Sequence, residues 1–165
     1  NLEAQAAQRY WPRLFGKGFR RDRDADGVNA LLNYGYAVVR AAVARAVVAA
    51  GLIPSLGVQH HNRSNPFCLA DDLLEPYRPF VDWRVRSLLK DGVPAPALDE
   101  QATRAALLGL FNETITVGDR RLPLLLGLEA SAASLCRALT ANEPALALPK
   151  GLPVEASAAE NETGP

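Results

Sequence analysis

The sequence predicts an all-α domain with at most a short β-hairpin near residues 114–122. Three observations carry that expectation. Residues 29–50, NALLNYGYAVVRAAVARAVVAA, are apolar nearly all round, as in a helix at the middle of a bundle. Helical spacing returns at 2–11, 82–90 and 122–139. β-branched residues around a turn are confined to one stretch, ETITVGDRRLPL. The 165 residues suit one domain, placed at 1–140, with 141–165 read as a disordered tail rich in Ala, Pro and Glu.

The elements are taken in chain order. LEAQAAQRYW (2–11) reads as a helix that Pro12 ends or kinks. GKGFRRDRDADGV (16–28) is a charged loop with three glycines. The apolar helix over 29–50 is closed by Gly51, and Pro54 prevents its continuation. A loop spans 57–67, and a helix begins near Phe67 or Cys68. Pro76 interrupts it before DWRVRSLLK (82–90) resumes. Pro94 and Pro96 mark another loop, after which Asp99 is placed to N-cap EQATRAALLGLF. The hairpin turns at Gly118-Asp119, and LPLLLGLEASAASLCRAL (122–139) is the last helix.

Charge and composition narrow the function classes. The chain has 18 basic and 18 acidic residues, but residues 1–150 are net +3 because the acidic tail has no base. That bias permits DNA contact through a local patch. Cys68 and Cys136 form no C-x-x-C pair and no disulfide framework, which suits a reduced, cytoplasmic setting. The most apolar run is cut by Arg40 and Arg45 and ends in Gly and Pro, so no membrane span is assigned. The chain begins at Asn1 and has no methionine, so it reads as a fragment.

The chemistry concentrates in HHNRSNPFCLADDLLEPYRPF, residues 60–80. On a helix Asp71 and Glu75 are i,i+4, and Asp72 and Glu75 are i,i+3. Such like-charge pairs cost about 0.2–0.5 kcal/mol in an exposed helix. The flanking Leu69, Leu73 and Leu74 bury this helix, so a cation should face the carboxylates, an arginine or a metal. Spacing alone favours the simpler account, in which an aspartate sits near the helix N-terminus and Glu75 pairs with Arg78. His60 and His61 are the chain's two histidines, which excludes a three-histidine zinc site. One histidine with carboxylates suits Mn²⁺ or Mg²⁺. Glu3 lies in the first turn of its helix, where the dipole alone would favour it. Nothing local links it to residue 60 or 75.

Four motifs together resemble the catalytic domain of the CRISPR-associated spacer-acquisition integrases, the Cas-one family, with wording nearest type II members. LEAQAAQRY is similar to the family's Glu-x-x-Ala-Ala-x-x-Tyr helix. NALLNYGY is similar to its Asn-rich helix start. GLIPSLGVQH is similar to its Gly-x-x-Pro-x-x-Gly-x-x-His turn, and LADDLLEPYRP to its Asp-x-x-Glu-Pro-x-Arg-Pro helix. The likeness covers residues 2–140. It implies a helical catalytic domain with Glu3, His60 and Glu75 as catalytic metal ligands for Mg²⁺ or Mn²⁺. Asp72, His61 and Arg78 then stand just behind them, and His61 is the alternative ligand should the loop differ by one residue. On this likeness the chain is expected to lack the family's N-terminal β-rich domain, starting just before Glu3.

The implied activity is a metal-dependent DNA integrase and endonuclease of CRISPR adaptation. A spacer-precursor 3′-hydroxyl attacks a phosphodiester of the repeat by transesterification. The implied partners are DNA, a second copy in a homodimer and the companion Cas-two protein, in a prokaryotic cytoplasm and without a membrane. Arg63 and Asn65, beside His60, are DNA-contact candidates, with the loop cluster Lys17, Arg20, Arg21 and Arg23. The bland account of that cluster is a solvated loop neutralised by its own aspartates. The rival class is a non-catalytic, truncated helical module that binds DNA or a protein.

Overall fold

A computed structural model of the chain describes residues 2–89, 95–141 and 145–152, with side chains from Gln5 onward. The elements are α1 (Leu2–Phe15), α2 (Val28–Ala49), α3 (Cys68–Leu74), a 3-10 turn (Glu75–Tyr77), α4 (Arg78–Leu88) and α5 (Gln101–Leu108). A second 3-10 turn (Gly109–Asn112), β1 (Thr114–Val117), β2 (Arg120–Pro123), α6 (Leu124–Thr140) and β3 (Pro149–Lys150) complete the chain. The molecule is mostly helical, as the patterning predicts. Pro94, the acidic tail beyond Leu152 and the Glu3 side chain lie outside the described residues.

α2 is apolar on most of its surface because most of its surface is covered. α3, α4, α5 and α6 all pack against it. Leu31, Leu32, Val43 and Val47 are fully buried, and each such side chain contributes about 1.5–3 kcal/mol. α2 is long and apolar enough to cross a membrane, and here that apolarity forms the centre of the core. Gly35 brings α4 close: a Cβ there would come within 2.5 Å of Val81 Cγ1.

α1 runs past Pro12, where the sequence suggests an end or kink. Stacked rings hold the last turn in place. Trp11 lies 6.1 Å from Phe15 and 6.0 Å from Phe19, and Phe15 lies 4.8 Å from Phe19. The Gly16 N–H then closes the helix on the Pro12 carbonyl at 3.0 Å. Pro76 and Pro79 sit at the starts of the 3-10 turn and α4, where a missing N–H costs no helical bond. They divide the stretch from Cys68 to Leu88 into three segments.

Two local expectations need correction. Asp99 does not cap α5; Glu100 holds the N-cap position without a side-chain bond, and Arg104 Nη1 donates to the Asp99 carbonyl at 2.5 Å. The sheet has three strands, not two. β1 and β2 form the expected antiparallel hairpin, and β3 adds to the other edge of β1, pairing Thr116 with Lys150 and Val117 with Pro149. Part of the stretch read as tail is therefore ordered. Serines on α6 hold it: Ser131 Oγ donates to the Ala147 carbonyl at 2.6 Å, and the Ala147 N–H donates to Ser134 Oγ at 3.0 Å. Tyr77 extends this network, its hydroxyl 2.6 Å from Ser131 Oγ and 2.9 Å from the Gly127 carbonyl.

Candidate metal centre and nucleic-acid interface

The segment after α2 turns at Gly51 and Pro54 and reaches α3 by a short polar loop. The Leu69 N–H donates to the Pro54 carbonyl at 2.7 Å, tying the start of α3 to the start of the loop. The chain must then fold tightly at Gly57. A Cβ there would collide with the His60 carbonyl and come within 2.8 Å of Cys68 Cβ and 3.1 Å of Asp72 Oδ2. The glycine of Gly-x-x-His is thus required by close approach.

Asp72 organises the loop from Val58 to His60. Its Oδ2 accepts the Val58 N–H at 2.5 Å and the Gln59 N–H at 3.0 Å. Its Oδ1 accepts the His60 N–H at 3.1 Å and lies 2.5 Å from the His60 ring Nδ1. Burial works against the Asp72 charge, but the bonds from Gln59, His60 and Val58 outweigh it and hold the carboxyl below its ordinary range. With Nδ1 committed to Asp72, His60 keeps Nε2 for a ligand, which fixes its tautomer as carboxylate partners of ligating histidines do. The Asp72 bond, opposed by slight burial and joined by the charges of Asp72, Glu75 and Asp71, raises the His60 pKa above its ordinary 6.5.

Glu75 is exposed and pairs with Arg78, Oε1 to Nη2 at 3.1 Å, as the i,i+3 spacing predicts. Arg78 also lies 5.3 Å from the Tyr36 ring, and its Nε is buried without a hydrogen-bond partner among the described residues. Asp71 turns the other way. Arg40 on α2 grips it at 2.5 and 2.8 Å, and Asn65 Nδ2 donates to it at 2.7 Å. The Arg40 bond is the largest influence and holds Asp71 below its usual range. The cation expected to face the buried-helix carboxylates is thus an arginine at Asp71. Sequence reasoning does not single out Arg40 for this role; a charged residue in the middle of a buried helix is the signal that could have found it.

The remaining named residues divide into two groups. His61, Arg63, Lys17, Arg20 and Arg23 are at the surface. Arg21 and Asn65 are engaged inside the protein. Arg21 donates to Asn29 Oδ1 at 2.8 Å and Asn33 Oδ1 at 2.6 Å, fastening the charged loop to the start of α2. Asn65 Oδ1 accepts from Arg40 Nη2 at 3.0 Å and from the Phe67 N–H at 3.0 Å. Cys68 is buried, its Sγ 3.4 Å from the Asn62 and Asn65 carbonyls.

Among the described residues no group of three or more His, Cys, Asp or Glu converges on one point. The described pair, the Nε2 of His60 and the exposed Glu75 carboxylate, has the donor chemistry of a mixed nitrogen–oxygen set for a hard divalent ion. Glu3 lies on α1, in the first turn.

Known proteins give this arrangement a context. Residues 1–108 match the family described as CRISPR associated protein Cas1. A CRISPR-associated endonuclease Cas1 of Neisseria meningitidis is 52% identical over 92 residues, covering 56% of this chain and 30% of that protein. Another, of Pyrobaculum aerophilum, is 32% identical over 140 residues, covering 83% of this chain and 47% of that protein. The chain thus spans less than half the length of both relatives. A casposase bound to integration product superposes with a TM-score of 0.70 at 21% identity, over 88% of this chain and 48% of that one, and so shares the fold. With a family match over residues 1–108 that includes His60, Asp72 and Glu75, the chain belongs to the CRISPR-associated Cas1 family.

Proposed function

We propose that this chain is the catalytic part of a DNA strand-transfer enzyme of CRISPR adaptation, acting with Mg²⁺ or Mn²⁺. The observation that carries the reading is the Asp72 clamp. One carboxylate takes three backbone N–H groups and the Nδ1 of His60, an arrangement suited to presenting Nε2 to a ligand. Glu3, His60 and Glu75 would hold the cation, and His61 stands next to His60 as the alternative. When bound, a divalent cation offsets charge that develops on phosphate oxygens.

The reaction is a transesterification. A DNA 3′-hydroxyl attacks a phosphodiester; one O–P bond forms as another breaks, so no nucleotide cofactor is consumed. With water as attacker the same site cleaves DNA. Arg78 braces Glu75 so that its carboxylate keeps one orientation. Lys17, Arg20, Arg23 and Arg63 would meet backbone phosphates, while Arg21 and Asn65 position the loops that carry them. The relatives named endonucleases and the fold shared with a casposase support this reading. A second copy of the chain, the companion Cas-two protein, CRISPR DNA and a prokaryotic cytoplasm complete the proposal.

The test is strand transfer on branched DNA with Mn²⁺. His60→Ala and Glu75→Ala should each lower the rate at least ~100-fold, the scale of losing an electrostatic stabiliser. Full activity in Glu75→Ala would refute the ligand assignment. DNA binding without turnover would leave a non-catalytic helical module.

A further inference from the structure

Asp82 lies on α4 and is 3% exposed. It accepts two phenol hydroxyls, Tyr10 from α1 at 2.7 Å and Tyr36 from α2. The guanidinium groups of Arg78 and Arg21 stand 5.3 and 5.7 Å from the Tyr36 ring, and their charge offsets part of the burial that raises Asp82 above its ordinary range. Burial, then the neighbouring carboxylate, pushes both phenols upward, so each remains a protonated donor.

Among the described side chains, the first half of α1 has little to hold it. Gln5, Ala6, Gln8 and Arg9 are exposed and Ala7 is half-buried. The described anchors begin at Tyr10: its bond to Asp82, then the Trp11, Phe15 and Phe19 rings. Ring packing holds the last turn, and the hydrogen bond to a carboxylate adds a fixed direction at Tyr10. Glu3 is seven residues before Tyr10, on the same face and about 10 Å along the axis at ~1.5 Å per residue. A tilt of roughly 10° about Tyr10 would move the backbone at Glu3 by roughly 2 Å at that rise, far more than metal–ligand distances tolerate.

We propose that Asp82, acting through the Tyr10 hydroxyl, is a positioning residue that sets α1 and so brings Glu3 to the cation held by His60 and Glu75. The inference rests on the metal reading above. Its test is Mn²⁺ affinity of the full chain by calorimetry, with no DNA present. Tyr10→Phe, which keeps the ring, should weaken binding about ten-fold, as loss of an outer partner of a ligand does. It should also speed amide exchange over residues 5–9. In a Glu3→Gln background, Tyr10→Phe should produce no further loss. Unchanged affinity in Tyr10→Phe, or an additive loss in the double variant, would overturn the proposal. If Glu3→Gln binds Mn²⁺ as the unaltered chain does, the metal reading is the one that fails, and this inference falls with it.

Discussion

The loop that carries His60 is fastened to α3 residue by residue, whereas the described anchors of α1 begin only at Tyr10. Val58, Gln59 and His60 all donate to Asp72, and Ser64, Asn65 and Phe67 donate within the loop itself. On α1 the corresponding task falls to one phenol–carboxylate bond and a patch of aromatic rings. The contrast separates two ways of placing a ligand. Three backbone donors on one carboxylate fix the loop, and the Nδ1 contact to the same carboxylate orients the imidazole, which is preorganisation. A helix whose described anchors lie in its second half depends on them to set its direction.

The largest expected effect comes from removing the fastened half's organiser. Asp72→Ala leaves three N–H groups and the Nδ1 of His60 without their acceptor. Mn²⁺ affinity should fall about 10–100-fold, more than for Tyr10→Phe, because the whole loop is released. Calorimetry on the two variants ranks them; a smaller loss in Asp72→Ala would reverse the comparison. Gly57→Ala should come next. The added methyl group meets the His60 carbonyl, Cys68 and Asp72, and overpacking of this kind costs about 1–3 kcal/mol. At that cost the melting temperature drops by roughly 2–4 °C per kcal/mol. An unchanged melting temperature would mean that the turn has slack that the close contacts do not suggest.

The difference between the halves also explains what could be read from the residues. The fastened half is local: Gly57, His60, Asp72 and Glu75 lie within 19 residues, and Glu75–Arg78 is a fixed helical spacing. Periodicity locates α2 and α6 to within a residue or two for the same reason, since helical burial repeats along the chain. Long-range partners leave no such trace. Arg40–Asp71 spans 31 residues and Tyr10–Asp82 spans 72, and neither pair shares a motif. β3 is hidden in Ala- and Pro-rich sequence because its order comes from α6 serines rather than from its own composition. Pro12 misleads because aromatic stacking, invisible to a helix rule, outweighs the proline.

The smallest effect is the most specific to the fastened half, and it is a proton titration. The Asp72 bond raises His60 above 6.5, so its stabilisation is complete below 6.5 and is lost as pH rises through the higher folded value. Asp72 is shifted the other way. Burial opposes its charge, but the bonds from Gln59, His60 and Val58 lower it below 3.8, so its contribution is present above 3.8 and is lost as pH falls through the folded value. The imidazolium–carboxylate bond is therefore strongest between 3.8 and 6.5. Replacing Asp72 by Asn keeps one of the two accepting oxygens and removes the charge, so the His60 midpoint should move down toward 6.5. Imidazole proton resonances of the metal-free chain read the His60 midpoint. A bound cation requires neutral His60, so Mn²⁺ affinity should rise about ten-fold per pH unit below that midpoint and level off above it. In Asp72→Asn the levelling should begin at lower pH. If the histidine midpoint does not move, Asp72 holds the loop but not the imidazole, and the tautomer argument for His60 fails.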